Sequence, residues 1–193
     1  MSTRPGGQPE TTTSSPVSGV RAVFLVGFMG AGKSSVGLAL SRKLGWAFED
    51  LDDRIQAQER RSIEEIFEQS GEAEFRRAEH LALRALIEGL GASSPAVVAV
   101  GGGAVAQKNN AALLEESGFS AIFLDAPVEE LFCRCQEQKL DRPLRRNLEQ
   151  FRRLYESRRP HYLKAVLRID TYGKDVEEVA AEAIQRLGFL RKR

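Results

Sequence analysis

Cysteine, histidine and long apolar runs are all scarce in this chain, and each scarcity excludes a class of protein. Only Cys133 and Cys135 occur, one residue apart in a segment that reads as helix, where their side chains point to different faces. Such a pair makes a poor disulfide. With His80 and His161 distant in sequence and no second cysteine pair, it makes no metal site either. No apolar run approaches the roughly 20 residues that a membrane helix needs. Charge of one sign is lacking as well. The 28 Lys and Arg against 27 Asp and Glu leave a net charge of +1, which argues against nucleic acid or an anionic membrane as the main partner. What remains is ordinary for a soluble globular domain: 193 residues, 42% hydrophobic and 28% charged, enough to bury one sizeable core. A cytoplasmic monomer is expected, since no large apolar helix face stands out.

Residues 1–19 stand apart from the rest. Fourteen of the nineteen are Ser, Thr, Pro or Gly and none is aromatic, so burial cannot offset the entropy of ordering them. They read as a disordered tail. The tail lacks the apolar centre of a secretory signal and, with Arg4 as its one basic residue, the basic face of a transit peptide.

From Val20 the chain alternates between short apolar runs and helical patterns. Strands are expected at Val20–Val26, around Trp46–Phe48, and at Ala96–Val100, Ser120–Leu124 and Val166–Ile169. Helices are expected at Lys33–Leu44, Leu51–Glu59, Ser62–Gln69, Glu72–Leu90, Asn109–Ser117, Val128–Gln138, Leu148–Leu163 and Val176–Leu187. Ser62 with Glu65 forms a capping-box signature, and Gly118 is a suitable helix terminator. Strands separated by helices pair in parallel through right-handed crossovers. The expectation is a three-layer α/β domain over residues 20–193, with a five-stranded parallel sheet flanked by helices.

The sharpest signal is Gly27-Phe28-Met29-Gly30-Ala31-Gly32-Lys33-Ser34, a G-x-x-x-x-G-K-S loop directly after a strand and before a helix. Its glycines let successive backbone N–H groups point at phosphate oxygens, and the helix dipole favours the same anion. Lys33 can reach the β- and γ-phosphates, and the Ser34 hydroxyl can ligate Mg²⁺. The chain therefore reads as a binder of a nucleoside triphosphate with a P-loop NTPase fold. It lacks a guanine-reading Asn-Lys-x-Asp motif and the added domains of a motor or transporter, which leaves a small-molecule kinase.

Two further segments suit an acceptor. Asp50 and Asp52 are two apart, so on an extended chain they share a side, at the strand end where α/β folds bind ligands. One carboxylate can address the magnesium shell while the other grips a substrate hydroxyl. Gly101-Gly102-Gly103 closes a buried strand, and three glycines in a row suit close approach to the transferring phosphate and its acceptor.

With these residues in view the chain resembles the shikimate kinases. The P-loop, Phe48-x-Asp50-x-Asp52-x-x-Ile55, Phe75-Arg76 after Ser70-Gly71-Glu72, Gly101 to Val105, Arg142-Pro143-Leu144 and Arg158-x-Pro160-x-Tyr162 occur in that family's order, over about residues 20–188. The resemblance implies transfer of the γ-phosphoryl group of ATP to the 3-hydroxyl of shikimate, on the route to chorismate and the aromatic amino acids, with Mg²⁺ as cofactor. It implies ATP contacts from Gly30, Ala31, Gly32, Lys33, Ser34 and Ser35, and a substrate-binding region at about 51–90. Arg76 and Arg158 would hold the shikimate carboxylate, a shape suited to a guanidinium fork. Asp52 would accept from the hydroxyls and could take the proton of the attacking oxygen, while Gly101, Gly102 and Gly103 line the other wall. Asp50 would stand in the magnesium shell through water. Arg142, on a lid at about 138–146, would close on the phosphates. Arg134 and Asp170-Thr171-Tyr172 correspond to the family's adenine side. The lid departs from the pattern, with Arg145 and Arg146 following Leu144, so these compete with Arg142. The alternatives are a kinase of another small hydroxy acid, such as gluconate, and a non-catalytic nucleotide-binding regulator. The joint presence of Lys33, Asp52, Arg76 and Arg158 speaks against the second.

Overall fold

A computed structural model of the protein describes residues 21–90, 95–137 and 147–190. The sequence-predicted tail (1–19) and lid (138–146, with Arg142, Arg145 and Arg146) lie outside the described residues. In chain order the elements are β1 Ala22–Val26, α1 Lys33–Leu44, β2 Ala47–Asp50, α2 Leu51–Glu59, α3 Ile63–Gly89, β3 Ala96–Ala99, a 3₁₀ turn Ala104–Ala106, α4 Lys108–Ser117, β4 Ser120–Asp125, α5 Val128–Glu137, α6 Leu148–Tyr162, β5 Leu167–Asp170 and α7 Val176–Leu190.

The five strands form one parallel sheet in the order β2-β3-β1-β4-β5. β1 is central and buried along its whole length, as is β3 beside it. Their continuous apolar sequences suit a sheet covered on both faces. Helix α1 packs on α7 and against β2 and β3, α3 packs on α4, and α5 on α6. β2 is one of the two edge strands and only partly covered. It runs to Asp50, two residues beyond the apolar run that marks it in the sequence, because Glu49 and Asp50 pair with Val98 and Ala99 of β3.

The two helices expected at Ser62–Gln69 and Glu72–Leu90 abut at Gly71, whose φ of 79° and ψ of 176° break the helix without a connecting loop. Few residues other than glycine adopt that conformation. The capping box opens the first of them: Ser62 Oγ accepts from Glu65 N at 3.1 Å, and Ser62 N donates to the Glu65 carboxylate at 2.7 Å. Cys133 is exposed, Cys135 is buried, and they form no disulfide. Among the described residues no helix is long and apolar enough to cross a membrane.

The order of the sheet gathers the motifs. The P-loop follows β1, Asp50 ends β2, Gly101 to Gly103 follow β3, and Asp125 ends β4. All stand at the carboxyl edge, where the strand order reverses about β1 and open α/β sheets bind ligands.

Candidate active site

The P-loop keeps its shape through close packing. Gly27, Gly30 and Gly32 have φ of 149°, 80° and 84°. A Cβ on Gly27 would lie 2.5 Å from the Leu124 carbonyl oxygen, and one on Gly30 would lie 2.5 Å from that of Leu131. The loop is thus wedged against β4 and α5, and the Ala31 N–H donates to the Phe28 carbonyl across it at 3.2 Å. Lys33 Nζ donates to the carbonyls of Gly27 at 2.9 Å and Phe28 at 3.0 Å, folded over the loop whose anion it would meet.

Ser34 Oγ donates to Asp50 Oδ2 at 2.7 Å, and Asp50 Oδ1 accepts from Asp52 N at 3.0 Å, capping α2. Asp50 therefore does two things: it starts a helix and sets a carboxylate beside the P-loop serine. A hydroxyl and a carboxylate side by side are hard oxygen donors that fit Mg²⁺, which is usually held by one or two such groups plus substrate phosphates. The described residues contain no cluster of three or more His, Cys, Asp or Glu able to hold a metal by itself.

The glycine turn after β3 is where the other groups meet. A Cβ on Gly101 would come within 2.9 Å of Asp52 Oδ1, one on Gly103 within 2.8 Å of Arg76 Nη1, and one on Gly102 within 3.3 Å of the Gly27 carbonyl oxygen. Side chains there would displace the acid, the guanidinium or the P-loop. Tyr162 fixes the turn from the far side, its hydroxyl donating to the Gly102 carbonyl. Burial pushes the Tyr162 phenol up, so it remains a donor.

Arg76 is held at both ends of its fork. Nη1 meets Glu79 at 2.9 Å, and Nη2 meets Glu72 at 3.1 Å. Glu79 is only 1% exposed, and burial pushes its carboxyl up while Arg76 pulls it down. Arg158 lies on α6 with its guanidinium carbon 5.8 Å from the centre of the Phe28 ring. Arg76 and Arg158 line one cavity of about 680 Å³ together with Phe67, Glu72, Leu154 and Ser157. Lys33, Ser34, Ser35, Asp50, Asp52, Gly101 and Gly102 line a second, of about 200 Å³. Residues matched in five of the six segments thus line these two cavities, and the sixth segment, that of the lid, lies outside the described residues. Arg134 also meets the segment after β5, donating to Thr171 Oγ1 and to its carbonyl, both at 3.0 Å.

Sequence reasoning missed Glu79, which reads as one more charge on a helix that is mostly charged. Its three-residue spacing from Arg76 is the signal that could have found it. It also missed Phe28, Phe67 and Leu154, whose roles depend on packing between distant segments.

A nucleotide loop, a carboxylate beside it and an arginine-lined cavity on a five-stranded parallel sheet define a P-loop phosphotransferase acting on a small molecule. The comparisons narrow this class. The family model described as shikimate kinase matches residues 29–188, and the chain belongs to the shikimate kinase family. A shikimate kinase of Geobacter metallireducens is 44% identical over 186 residues, covering 95% of this chain and 99% of the relative. The structure of an Acinetobacter baumannii shikimate kinase in complex with shikimate matches at a TM-score of 0.82 and 31% identity, covering 91% of this chain and 97% of that one. A Sinorhizobium meliloti gluconokinase shares the fold alone, at 22% identity and a TM-score of 0.63. The chain is a kinase that uses ATP and phosphorylates an alcohol group, so the reading as a non-catalytic regulator falls away.

Proposed function

We propose that the chain transfers the γ-phosphoryl group of ATP to the 3-hydroxyl of shikimate, with Arg76 and Arg158 holding the carboxylate and Asp52 receiving the hydroxyl. The observation that carries this is the glycine turn, which touches Asp52, Arg76 and the P-loop through three successive residues. An acceptor seated against it has an acid, a cation and the phosphate cradle within reach at once. Lys33 leaves the Gly27 and Phe28 carbonyls for the β- and γ-phosphates, and the loop N–H groups hold the rest of the chain of phosphates. Asp52 orients the 3-hydroxyl and takes its proton as the new O–P bond forms. Ser34 and Asp50 would hold Mg²⁺, Asp50 through water, and the ion supplies charge neutralisation at the phosphates. Arg142 of the lid adds positive charge over the transferring group. Residues 51–90 serve as the substrate-binding region and 138–146 as the lid. The chain works as a cytoplasmic monomer.

The test is release of ADP with ATP, Mg²⁺ and one acceptor at a time. Shikimate should support turnover and gluconate should not. Turnover with gluconate alone would replace this reading with a gluconate-type kinase.

A further inference from the structure

The two arginines assigned to the carboxylate are held differently. Arg76 is fixed by ion pairs to Glu72 and Glu79. The described residues give Arg158 no ion pair; its guanidinium lies over the ring of Phe28 and beside the Tyr162 hydroxyl. Phe28 is the second residue of the P-loop and is fully buried. The phosphate cradle needs only backbone groups at that position, so a buried aromatic side chain there answers another demand. The ring is gripped edge-to-face by Phe151 at 4.9 Å and by Tyr155 at 5.5 Å. Phe151, Tyr155 and Arg158 are four and three residues apart, one stripe of α6. Tyr155 is itself pinned, its hydroxyl donating to the buried Asp125 carboxylate at 2.8 Å. The ring is therefore braced on two sides, and its face is a seat for a cation within the roughly 6 Å over which such attraction acts.

We propose that Phe28 is a positioning residue for Arg158: the P-loop, through this side chain, helps set where the carboxylate-binding guanidinium stands. This rests on the reading that Arg158 receives the acceptor's carboxylate. A ring seat holds the cation without neutralising it, so Arg158 keeps its full charge for the anion. The Phe28 carbonyl meanwhile accepts from Lys33, so a single residue contacts the cationic group of each substrate subsite.

The experiment compares shikimate with its carboxyl-reduced alcohol in the full-length enzyme and in two variants. One is Phe28→Leu. The other carries 3,4,5-trifluorophenylalanine at position 28, nearly the same shape with the negative potential drawn off the ring face. A loosened seat should cost the acid more than the alcohol, so the acid-over-alcohol ratio of kcat/KM should fall roughly three- to thirty-fold in both variants. General damage would lower both acceptors alike and leave the ratio unchanged. A ratio kept within about two-fold in either variant overturns the proposal, and the fluorinated ring keeps the test decisive if Phe28→Leu does not fold. Failure of the underlying reading looks different: the unaltered enzyme would show no preference for the acid, and the proposal would fall with it.

Discussion

Adding one methyl group at Gly103 tests the acceptor site without removing any functional group. Gly103 has φ of −99° and ψ of −18°, a conformation open to alanine, so Gly103→Ala carries no backbone strain. Its Cβ would lie 2.8 and 2.9 Å from the two terminal nitrogens of Arg76 and 3.2 Å from the carbon between them. Ordinary contact begins near 3.4 Å, so the guanidinium must retreat by about 0.6 Å. It cannot do so freely, because Glu79, 1% exposed, holds Nη1 at 2.9 Å. Losing one well-aligned charge-assisted contact to the carboxylate costs about 1.5–3 kcal/mol, or roughly ten- to 150-fold in affinity. The expected result is a rise in KM for shikimate at the lower part of that range, with KM for ATP little changed. ADP release at saturating ATP with varied shikimate measures it. The cost should shrink when Arg76 is already lysine, since the atoms met by the new methyl are then gone, and the double variant should be better than additive. A near-normal KM in Gly103→Ala, or strict additivity with Arg76→Lys, would refute the reasoning.

Three further outcomes are expected. Lys33→Ala should lower kcat at least ~100-fold and weaken ATP binding while the fold survives, as circular dichroism and turnover will show; near-normal activity removes the phosphate-loop assignment. Arg142→Ala should depress kcat far more than it raises KM for shikimate, and if Arg145→Ala proves the more damaging change, the lid arginine is Arg145. Glu79→Gln tests the buried acid through pH. A carboxyl raised by burial contributes stability that is intact below its ordinary value of 4.5 and is lost as pH rises through its folded value. The glutamine variant does not suffer that loss, so its Tm relative to the parent should climb from acid to neutral pH; a flat difference contradicts the raised value.

Much of this arrangement is legible in the residues themselves. Helices Lys33–Leu44 and Leu51–Glu59 begin and end where glycine, capping acid and apolar spacing place them. The strands of the sheet interior announce themselves as apolar runs, whereas β2 hides half its length because an edge strand tolerates Glu49 and Asp50. The break at Gly71 is visible as a glycine, but its angles, and so the abutment of two helices without a loop, are set by packing. Arg76 and Arg158 enter the account through motif resemblance, since on composition each is an arginine on a charged helix. What holds each of them was out of reach. Glu79 is buried only because α3 packs beside the glycine turn, and Phe28 meets Arg158 only because α6 lies across the P-loop.

The central claim is the direction in which the acceptor lies: carboxylate toward Arg76 and Arg158, 3-hydroxyl toward Asp52 and the P-loop. A crystal structure of the enzyme with shikimate and ADP tests it most directly. The account predicts both guanidinium groups within hydrogen-bond distance of the carboxylate oxygens, about 2.7–2.9 Å, and the 3-hydroxyl at a similar distance from an Asp52 oxygen. A carboxylate turned toward Lys33, with the hydroxyls against Arg76 and Arg158, would contradict it.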